Sequence, residues 1–324
     1  MHNENDPAAD YIKQRLEKYG LTVDKQYFND DGINVIATQL GGTNPDSIFM
    51  ICGHYDAVTD YAADDNASGT AAVIEIARIL SKIDLNYTLI YALWDEEEIG
   101  LLGSEHYTAN LAIDESKFIG VLNFDMLAYD SDNDGVFDIH AGADSESLRI
   151  ANTMVSVINS HNLDLDPTIY SPGISYSDHS PFWEVEIGAI LMIESYMLGD
   201  FTWAYHTVDD RIDLFNMAYF HEMVKAGMGT TVNLTMTNID TRFDQEAVLA
   251  QNTMEIYPNP SNGIFNFRTN TTSNVEVINQ FGSLVAQLNI TDNNTEIDLS
   301  SFANGIYYVK VYGNTPQVLK IIKQ

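Results

Sequence analysis

Cysteine is nearly absent from this chain of 324 residues: Cys52 is the only one, so no internal disulfide can form. It stands inside an apolar run, where a lone thiol behaves as a small hydrophobe, and a nucleophilic role is not expected of it. Basic residues are scarce as well, 15 Lys and Arg against 47 Asp and Glu, a formal net charge of −32. That balance repels nucleic acid and anionic lipid and favours cations, metals and peptide amino termini among them. The deficit is uneven: residues 1–251 hold 11 basic and 42 acidic side chains, whereas residues 252–324 hold 4 and 5. Two modules of different character are therefore expected. No run of about 18 apolar residues occurs, so no membrane-spanning segment is expected. The pattern of a secretory signal peptide is likewise missing from the first residues.

What is present is a series of short apolar runs alternating with helix-like stretches. Ala8–Tyr19 puts Ala9, Ile12, Leu16 and Tyr19 on one face, and Leu21–Phe28 and Ile33–Leu40 read as strands around Asn29-Asp30-Asp31-Gly32. Ser47–Gly53, Tyr87–Trp94, Phe118–Phe124 and Gly188–Ile193 read as buried strands. Helices are expected over Ala67–Lys82, Gly103–Asn110, Asp144–Ser160 and Leu214–Met236, with a further start at Ser177–Phe182. Strand-helix alternation with continuous apolar strands predicts an α/β fold, a mixed but largely parallel sheet between helices.

Each strand is followed by an acidic or imidazole side chain. His54 follows the first buried strand and Asp65 its exit loop; Glu96-Glu97-Glu98 follow the second, Asp125 the third, and His206 lies beyond the fourth. Loops at the carboxyl ends of parallel strands are where such sheets bind ligands. Singly, each has an ordinary reading: the Glu run as a helix N-terminus, Asp125 as a loop cap, His206 as a surface imidazole. Together, His54, Asp65, Glu98, Asp125 and His206 form an all-nitrogen-and-oxygen donor set suited to zinc. Five ligands are too many for one tetrahedral ion and suit two ions about 3.5–4 Å apart sharing a carboxylate. Glu97, beside a ligand, is then free to carry a proton. Asp56, two residues after His54, suits a carboxylate that orients its ring.

The segments Gly53-His54-Tyr55-Asp56, Asp64-Asp65-Asn66-Ala67-Ser68-Gly69, Asp95-Glu96-Glu97-Glu98-Ile99-Gly100-Leu101-Leu102-Gly103-Ser104, Asn123-Phe124-Asp125-Met126, Ser177-Asp178-His179 and Tyr205-His206-Thr207-Val208-Asp209-Asp210 resemble those of secreted di-zinc aminopeptidases of metallopeptidase family 28, over residues 8–238. The resemblance implies an eight-stranded mixed sheet and two Zn2+, one on His54 and Asp125 and one on Glu98 and His206, bridged by Asp65 rather than Asp64. It implies Glu97 as general base, Asp56 as the orienting carboxylate of His54, and Tyr205 as a contact to the oxyanion. The implied reaction is hydrolysis of peptides and proteins at a free amino terminus by zinc-activated water. Met126, Phe182, Trp183 or Trp203 are candidates for the side-chain pocket, the alternative for the aromatics being the core. Two departures stand out. The disulfide that some members carry beside Ser-Asp-His is impossible here, and Ile174 occupies the place of a Tyr that they carry three residues before that Ser, with Tyr176 nearby in another phase. The alternatives left open are a glutaminyl cyclase built on similar motifs and a non-catalytic surface-binding homologue.

Asp130-Ser131-Asp132-Asn133-Asp134-Gly135 places acids at positions 1, 3 and 5 and Gly at 6, as in a calcium loop, but Ala141 stands where position 12 needs Glu. A Ca2+ at Asp130, Asp132 and Asp134 is one expectation, an Asx-rich turn the other.

Domain boundaries are expected at 1–240 for the metal-binding part, 241–252 for a polar linker and 253–324 for a small all-β sandwich. The opening Tyr257-Pro258-Asn259-Pro260, the run Gly305-Ile306-Tyr307-Tyr308-Val309 and the Lys-rich close resemble the C-terminal sorting domain of the type IX secretion system. That implies the secretion machinery as a partner, export to the cell surface or medium, removal of the tail, and a leader preceding this sequence. The alternative is a carbohydrate- or surface-binding module.

Overall fold

The computed structural model describes residues 6–111, 114–197, 199–236, 255–268, 273–279, 283–290, 294–312 and 317–324. The expected linker at 241–252 lies outside the described residues. The chain divides into two compact units, Met1–Pro167 with Pro172–Asn238, and Thr168–Ser171 with Ile239–Gln324.

The first unit opens with helix α1 (Asp6–Lys18), which buries Ala9, Ile12 and Leu16. Strands β1 (Thr22–Phe28) and β2 (Gly32–Gln39) form an antiparallel hairpin. Then follow β3 (Asn44–His54), α2 (Gly69–Leu80), β4 (Tyr87–Trp94), α3 (Leu102–Ala109), β5 (Phe118–Phe124), β6 (Val136–Ala141), α4 (Ser145–His161), β7 (Asp166–Tyr170), of which Thr168–Tyr170 count with the second unit, α5 (Ser180–Glu184), β8 (Ala189–Glu194) and α6 (Met217–Met236). The strand order is β1-β2-β4-β3-β5-β8-β6. The centre, β4-β3-β5-β8, is parallel, and antiparallel pairs flank it on both sides. Alternate residues of the central strands serve two cores. On one face Met50, Cys52, Ala92 and Trp94 pack with Tyr107 of α3 and Phe182 of α5. On the other, Phe124 lies so close to α6 that a Cβ on Gly227 would meet its ring at 2.5 Å. Trp94 is fully buried, its ring 5.1 Å from Tyr107 and 6.3 Å from Phe182. Truncating it to Ala would cost about 3–5 kcal/mol.

Several elements differ from expectation, among them β7, which the sequence pattern did not mark. Helix α2 begins at Gly69, after one wide turn over Ala63–Ser68 in which Asp65 and Asn66 have non-helical dihedrals. Helix α6 begins at Met217 rather than Leu214, because Asn216 Oδ1 accepts the Tyr219 N–H at 3.2 Å and caps it there. Strand β6 carries Asp138 and His140, both buried, which disguise it in the sequence. Each accepts a backbone N–H from a neighbouring loop: Asp138 Oδ2 that of Met197 at 2.6 Å and His140 Nδ1 that of Ile174 at 3.3 Å. Asp144 caps α4 by accepting from Ser147 N, as its place before the helix predicts.

The second unit is all-β: β9 (Glu255–Tyr257), β10 (Ile264–Arg268), β11 (Ser273–Asn279), β12 (Leu284–Ile290), β13 (Asn294–Asp298), β14 (Gly305–Tyr312) and β15 (Gln317–Lys323). Antiparallel pairings give one run β15-β14-β11-β12 and another β13-β10-β9. Phe265, Phe267, Val275, Val277, Ile297, Val309 and Ile321 fill their common core. The Tyr-Pro-Asn-Pro opening is stitched to the last strand: Asn259 Oδ1 accepts the Ile322 N–H at 2.9 Å and Nδ2 donates to the Lys320 carbonyl at 2.8 Å. Among the described residues no helix is long and apolar enough to cross a membrane.

Candidate metal centre

The register of the parallel strands levels their carboxyl ends. His54, last in β3, pairs with Trp94, last in β4, and Asp125 follows Phe124, last in β5. His54 is buried. Its Nδ1 lies 3.2 Å from the Asp56 carbonyl oxygen and 3.4 Å from Asp56 Oδ1. That leaves Nε2 to face Asp65 Oδ1 at 3.3 Å and Asp125 Oδ1 at 3.5 Å. His206 Nε2 faces the other oxygen of Asp65 at 3.1 Å and Glu98 Oε2 at 3.0 Å. All five expected ligand residues thus adjoin one another, Asp65 in the middle. Ligand atoms of His54, Asp65 and Glu98 lie within 4.8 Å of one another, as do those of His54, Glu97 and Asp125.

Local polar groups fix each loop. The Asp56 carboxylate accepts the N–H groups of Glu97 and Glu98, each at 3.1 Å, so the residue beside the His54 ring also shapes the turn that carries both glutamates. Asp210 accepts from Asp64 N at 2.9 Å and Asp65 N at 3.0 Å. Asn66 Nδ2 donates to the Phe124 carbonyl at 2.9 Å, and its Oδ1 accepts the Met126 N–H at 3.2 Å, binding the Asp65 loop to the Asp125 loop. Only a glycine fits at position 69, where a Cβ would meet the Phe124 carbonyl at 2.5 Å. Ser177 Oγ donates to Asp125 Oδ2 at 2.6 Å. Glu194 accepts from Tyr129 N at 3.1 Å and Thr202 N at 2.9 Å, securing the approach to His206. Asp64 points away from the cluster, accepting the Ala128 N–H at 3.0 Å. Sequence reasoning gave no role to Asp210 or Glu194. Glu194 stands at a strand exit like the others, and Asp210 belongs to the acidic pair closing the His206 motif; these were the available signals.

The cluster is short of positive charge. Burial, then the charges of Asp178, Asp125 and Glu98 against that of His54, push the Glu97 carboxyl up to about 10. Burial and the charge of Asp65 push Glu98 up to about 8. Burial raises Asp65 too. Although burial opposes it, Asp125, Asp56 and Asp65 raise His54 well above the ordinary imidazole value. Among the described residues no Lys or Arg lines the site, and Glu98 Oε1 is buried without a hydrogen-bond partner. Converging carboxylates and imidazoles with an orphaned carboxylate oxygen fit divalent zinc, which takes oxygen and nitrogen ligands. A buried unpaired oxygen is otherwise costly.

A cavity of about 180 Å3 opens beside these groups. Its apolar side is formed by Met126, Ile174, Leu191, Ile193 and Phe201. Tyr205 lines it and stacks on the His206 ring at 3.7 Å. Of the four candidates for it, Met126 takes part; Phe182 belongs to the core, Trp183 Nε1 donates to the Ala189 carbonyl, and Trp203 is 65% exposed. Bulky aromatics near the motifs were drawn into packing, while aliphatic residues of β8 supply the wall.

Elsewhere, Asp130, Asp132 and Asp134 bring carboxylate oxygens within 4.8 Å of one another. Asn216 Nδ2 donates to Asp130 Oδ2 at 3.0 Å, and residues from Val136 onward enter β6.

Residues 34–229 match peptidase family M28, and residues 255–324 match a secretion system C-terminal sorting domain. Leupeptin-inactivating enzyme 1 of Streptomyces exfoliatus is 37% identical over 182 residues, 54% of this chain and 39% of that protein; the chain therefore spans well under two thirds of this relative's length. The aminopeptidase from Aneurinibacillus sp. strain AM-1 superposes with a TM-score of 0.55 at 26% identity, over 63% of this chain and 48% of that chain. A glutaminyl cyclase of Porphyromonas gingivalis superposes with a TM-score of 0.57 at 19% identity, over 71% of this chain and 88% of that chain, a likeness of fold alone.

Proposed function

Because the chain belongs to peptidase family M28, we propose that it is a secreted zinc aminopeptidase that removes N-terminal residues from peptides and proteins. The observation that carries this reading is Asp65 standing between two imidazoles, His54 at 3.3 Å and His206 at 3.1 Å, with Asp125 and Glu98 completing the two sides. His54 and Asp125 would hold one zinc, Glu98 and His206 a second, and Asp65 both. Bound zinc supplies the Lewis acidity that activates water and polarises a carbonyl.

The remaining chemistry belongs to the side chains. Glu97 takes a proton from the attacking water on its carboxylate and delivers it to the leaving amine; bound cations would counter the surrounding carboxylates and keep it ionised. Asp56 holds the His54 ring and the Glu97–Glu98 turn. Tyr205 O–H supports the developing oxyanion. The carboxylate-rich mouth without Lys or Arg accepts a free ammonium, and the wall of Met126, Leu191 and Ile193 favours an apolar N-terminal side chain. The catalytic domain is assigned to residues 1–240, the linker to 241–252 and the sorting domain to 253–324, whose match supports export by the type IX secretion machinery. For the acidic loop at Asp130, Asp132 and Asp134 two readings stand side by side, a Ca2+ site and an Asx-rich turn.

The test is a panel of aminoacyl p-nitroanilides and glutaminyl peptides, with zinc and with chelator. Chelator-sensitive amine release supports the reading. Pyroglutamyl product without amine release replaces it with a glutaminyl cyclase, the reading that the fold likeness over 88% of such a chain favours next. Neither product from zinc-loaded protein leaves a non-catalytic surface binder.

A further inference from the structure

Ile174 is gripped through its backbone by two histidines that the catalytic reading does not use. His140, buried on β6, accepts the Ile174 N–H on Nδ1 at 3.3 Å. His179, buried just ahead of α5, donates from Nε2 to the Ile174 carbonyl at 2.9 Å. The first bond requires a bare Nδ1 on His140 and so a neutral ring with its proton on Nε2; the second requires only that His179 carry a proton on Nε2. Burial, with the charge of His179 added, brings His140 down to about 3, and burial brings His179 down to about 4, so both stay neutral at ordinary pH.

The rings are themselves fixed. His179 meets the Trp183 ring edge-on at 4.6 Å and 87°. A Cβ on Gly173 would come within 2.4 Å of His140 Cβ, so the loop lies directly against β6. Gly173 N donates to the Ala141 carbonyl at 2.8 Å, and the loop's other end is tied by Ser177 Oγ to Asp125. The peptide groups of Ile174 are thus engaged by the protein, and it presents its side chain to the cavity beside Met126, Leu191 and Ile193.

We propose that His140 and His179 are positioning residues that clamp the Ile174 backbone from its two sides and thereby set the apolar wall that discriminates between N-terminal side chains of the substrate. The inference rests on the aminopeptidase reading for its substrate and on the clamp geometry for its cause. A wall residue free to shift by a methyl width would blur a discrimination that, per methylene, is worth roughly 10–200-fold.

The experiment compares zinc-loaded wild type with His179→Leu, His140→Leu and the conservative His179→Gln and His140→Asn. Gln supplies an amide N–H where Nε2 stands, and Asn a carbonyl oxygen where Nδ1 stands. Two readouts are taken: kcat and KM on leucyl and alanyl p-nitroanilides, and hydrogen exchange of residues 172–177. The Leu variants are expected to lower the leucyl-to-alanyl ratio of kcat/KM about 10-fold through KM, with kcat within about twofold, and to speed exchange at Ile174 about 10-fold or more. The Gln and Asn variants are expected to restore both. The ratio does not depend on the folded fraction, so partial unfolding does not imitate the effect. An unchanged ratio, or Gln and Asn variants no better than Leu, overturns the proposal. Wild type that hydrolyses no aminoacyl substrate overturns the aminopeptidase reading instead, and unchanged exchange in the Leu variants then overturns the clamp.

Discussion

His206 Nε2 stands 3.1 Å from Asp65 Oδ2, the carboxylate oxygen that His54 does not face. Two imidazoles from distant parts of the chain thus converge on one carboxylate. If that carboxylate serves both ions, replacing one oxygen by an amide nitrogen should impair both. Asp65→Asn is expected to bind fewer than two zinc ions per chain and to lose at least about 100-fold in kcat/KM. Elemental analysis beside steady-state kinetics checks both; full zinc content with full activity would remove Asp65 from the centre.

Glu97 separates proton transfer from metal binding. It lines the cavity, and it sits next to Glu98, which His206 engages. Glu97→Gln keeps the shape and removes the basic oxygen. The expected result is kcat lower by about 10²–10⁴-fold with KM and zinc content nearly unchanged. A parallel loss of zinc would make Glu97 a ligand.

The parts of this arrangement that the sequence disclosed are those in which one residue's chemistry needs one place. Continuous apolar runs such as Ser47–Gly53 have no exposed face and identify buried parallel strands, and the acid or imidazole after each run marks the edge at which these groups converge. Residues whose polarity is cancelled by a partner elsewhere were hidden. Asp138 and His140 break the apolar pattern of β6, yet both are buried, because loops far along the chain donate to them. Glu194 and Asp210 act on backbone N–H groups of other loops, which no local spacing reveals. For Phe182 and Trp183 the sequence left pocket and core both open, since size suits either; the core between α3, α5 and the sheet claimed Phe182, with Trp183 packed against it.

Asp56 ties two functions together, since the carboxylate near His54 Nδ1 also accepts the Glu97 and Glu98 N–H groups. The two N–H groups lie on different oxygens of Asp56, so in an asparagine one of them would face the amide NH2 instead of an acceptor. Asp56→Asn is expected to weaken zinc binding by about 10–100-fold. Competition against a chromogenic chelator measures this, and wild-type affinity would show the turn to be held by other contacts.

The Asp130 loop allows a test independent of catalysis. Asp132 and Asp134 are exposed and share a small space with Asp130. Saturating Ca2+ is expected to raise Tm of the zinc-loaded protein by about 2–4 °C, as ligand linkage gives for a domain of this size. Asp132→Asn and Asp134→Asn should abolish the rise. No rise in wild type reduces the loop to an Asx-rich turn braced by Asn216.

Acid should act on the fold through His140 and His179. Their folded-state values, about 3 and about 4, lie below the ordinary imidazole value near 6.5, because burial penalises the charged ring. The unfolded chain therefore takes up protons first as pH falls. The contribution is complete above about pH 6.5 and is lost on acidification toward pH 4 and 3, at up to about tenfold per pH unit and per histidine in the folded-to-unfolded ratio. Asp178 and Asp64, raised by burial to about 7 and about 6, act in the opposite sense over part of this window. They are common to wild type and variants and cancel in the comparison. His140→Asn with His179→Gln keeps the bonds to Ile174 without a titrating ring, so the double variant is expected to unfold at a lower pH than wild type. Circular dichroism across pH 7 to 3 measures the two midpoints; coincident midpoints would mean that the rings gain access to water before the fold opens.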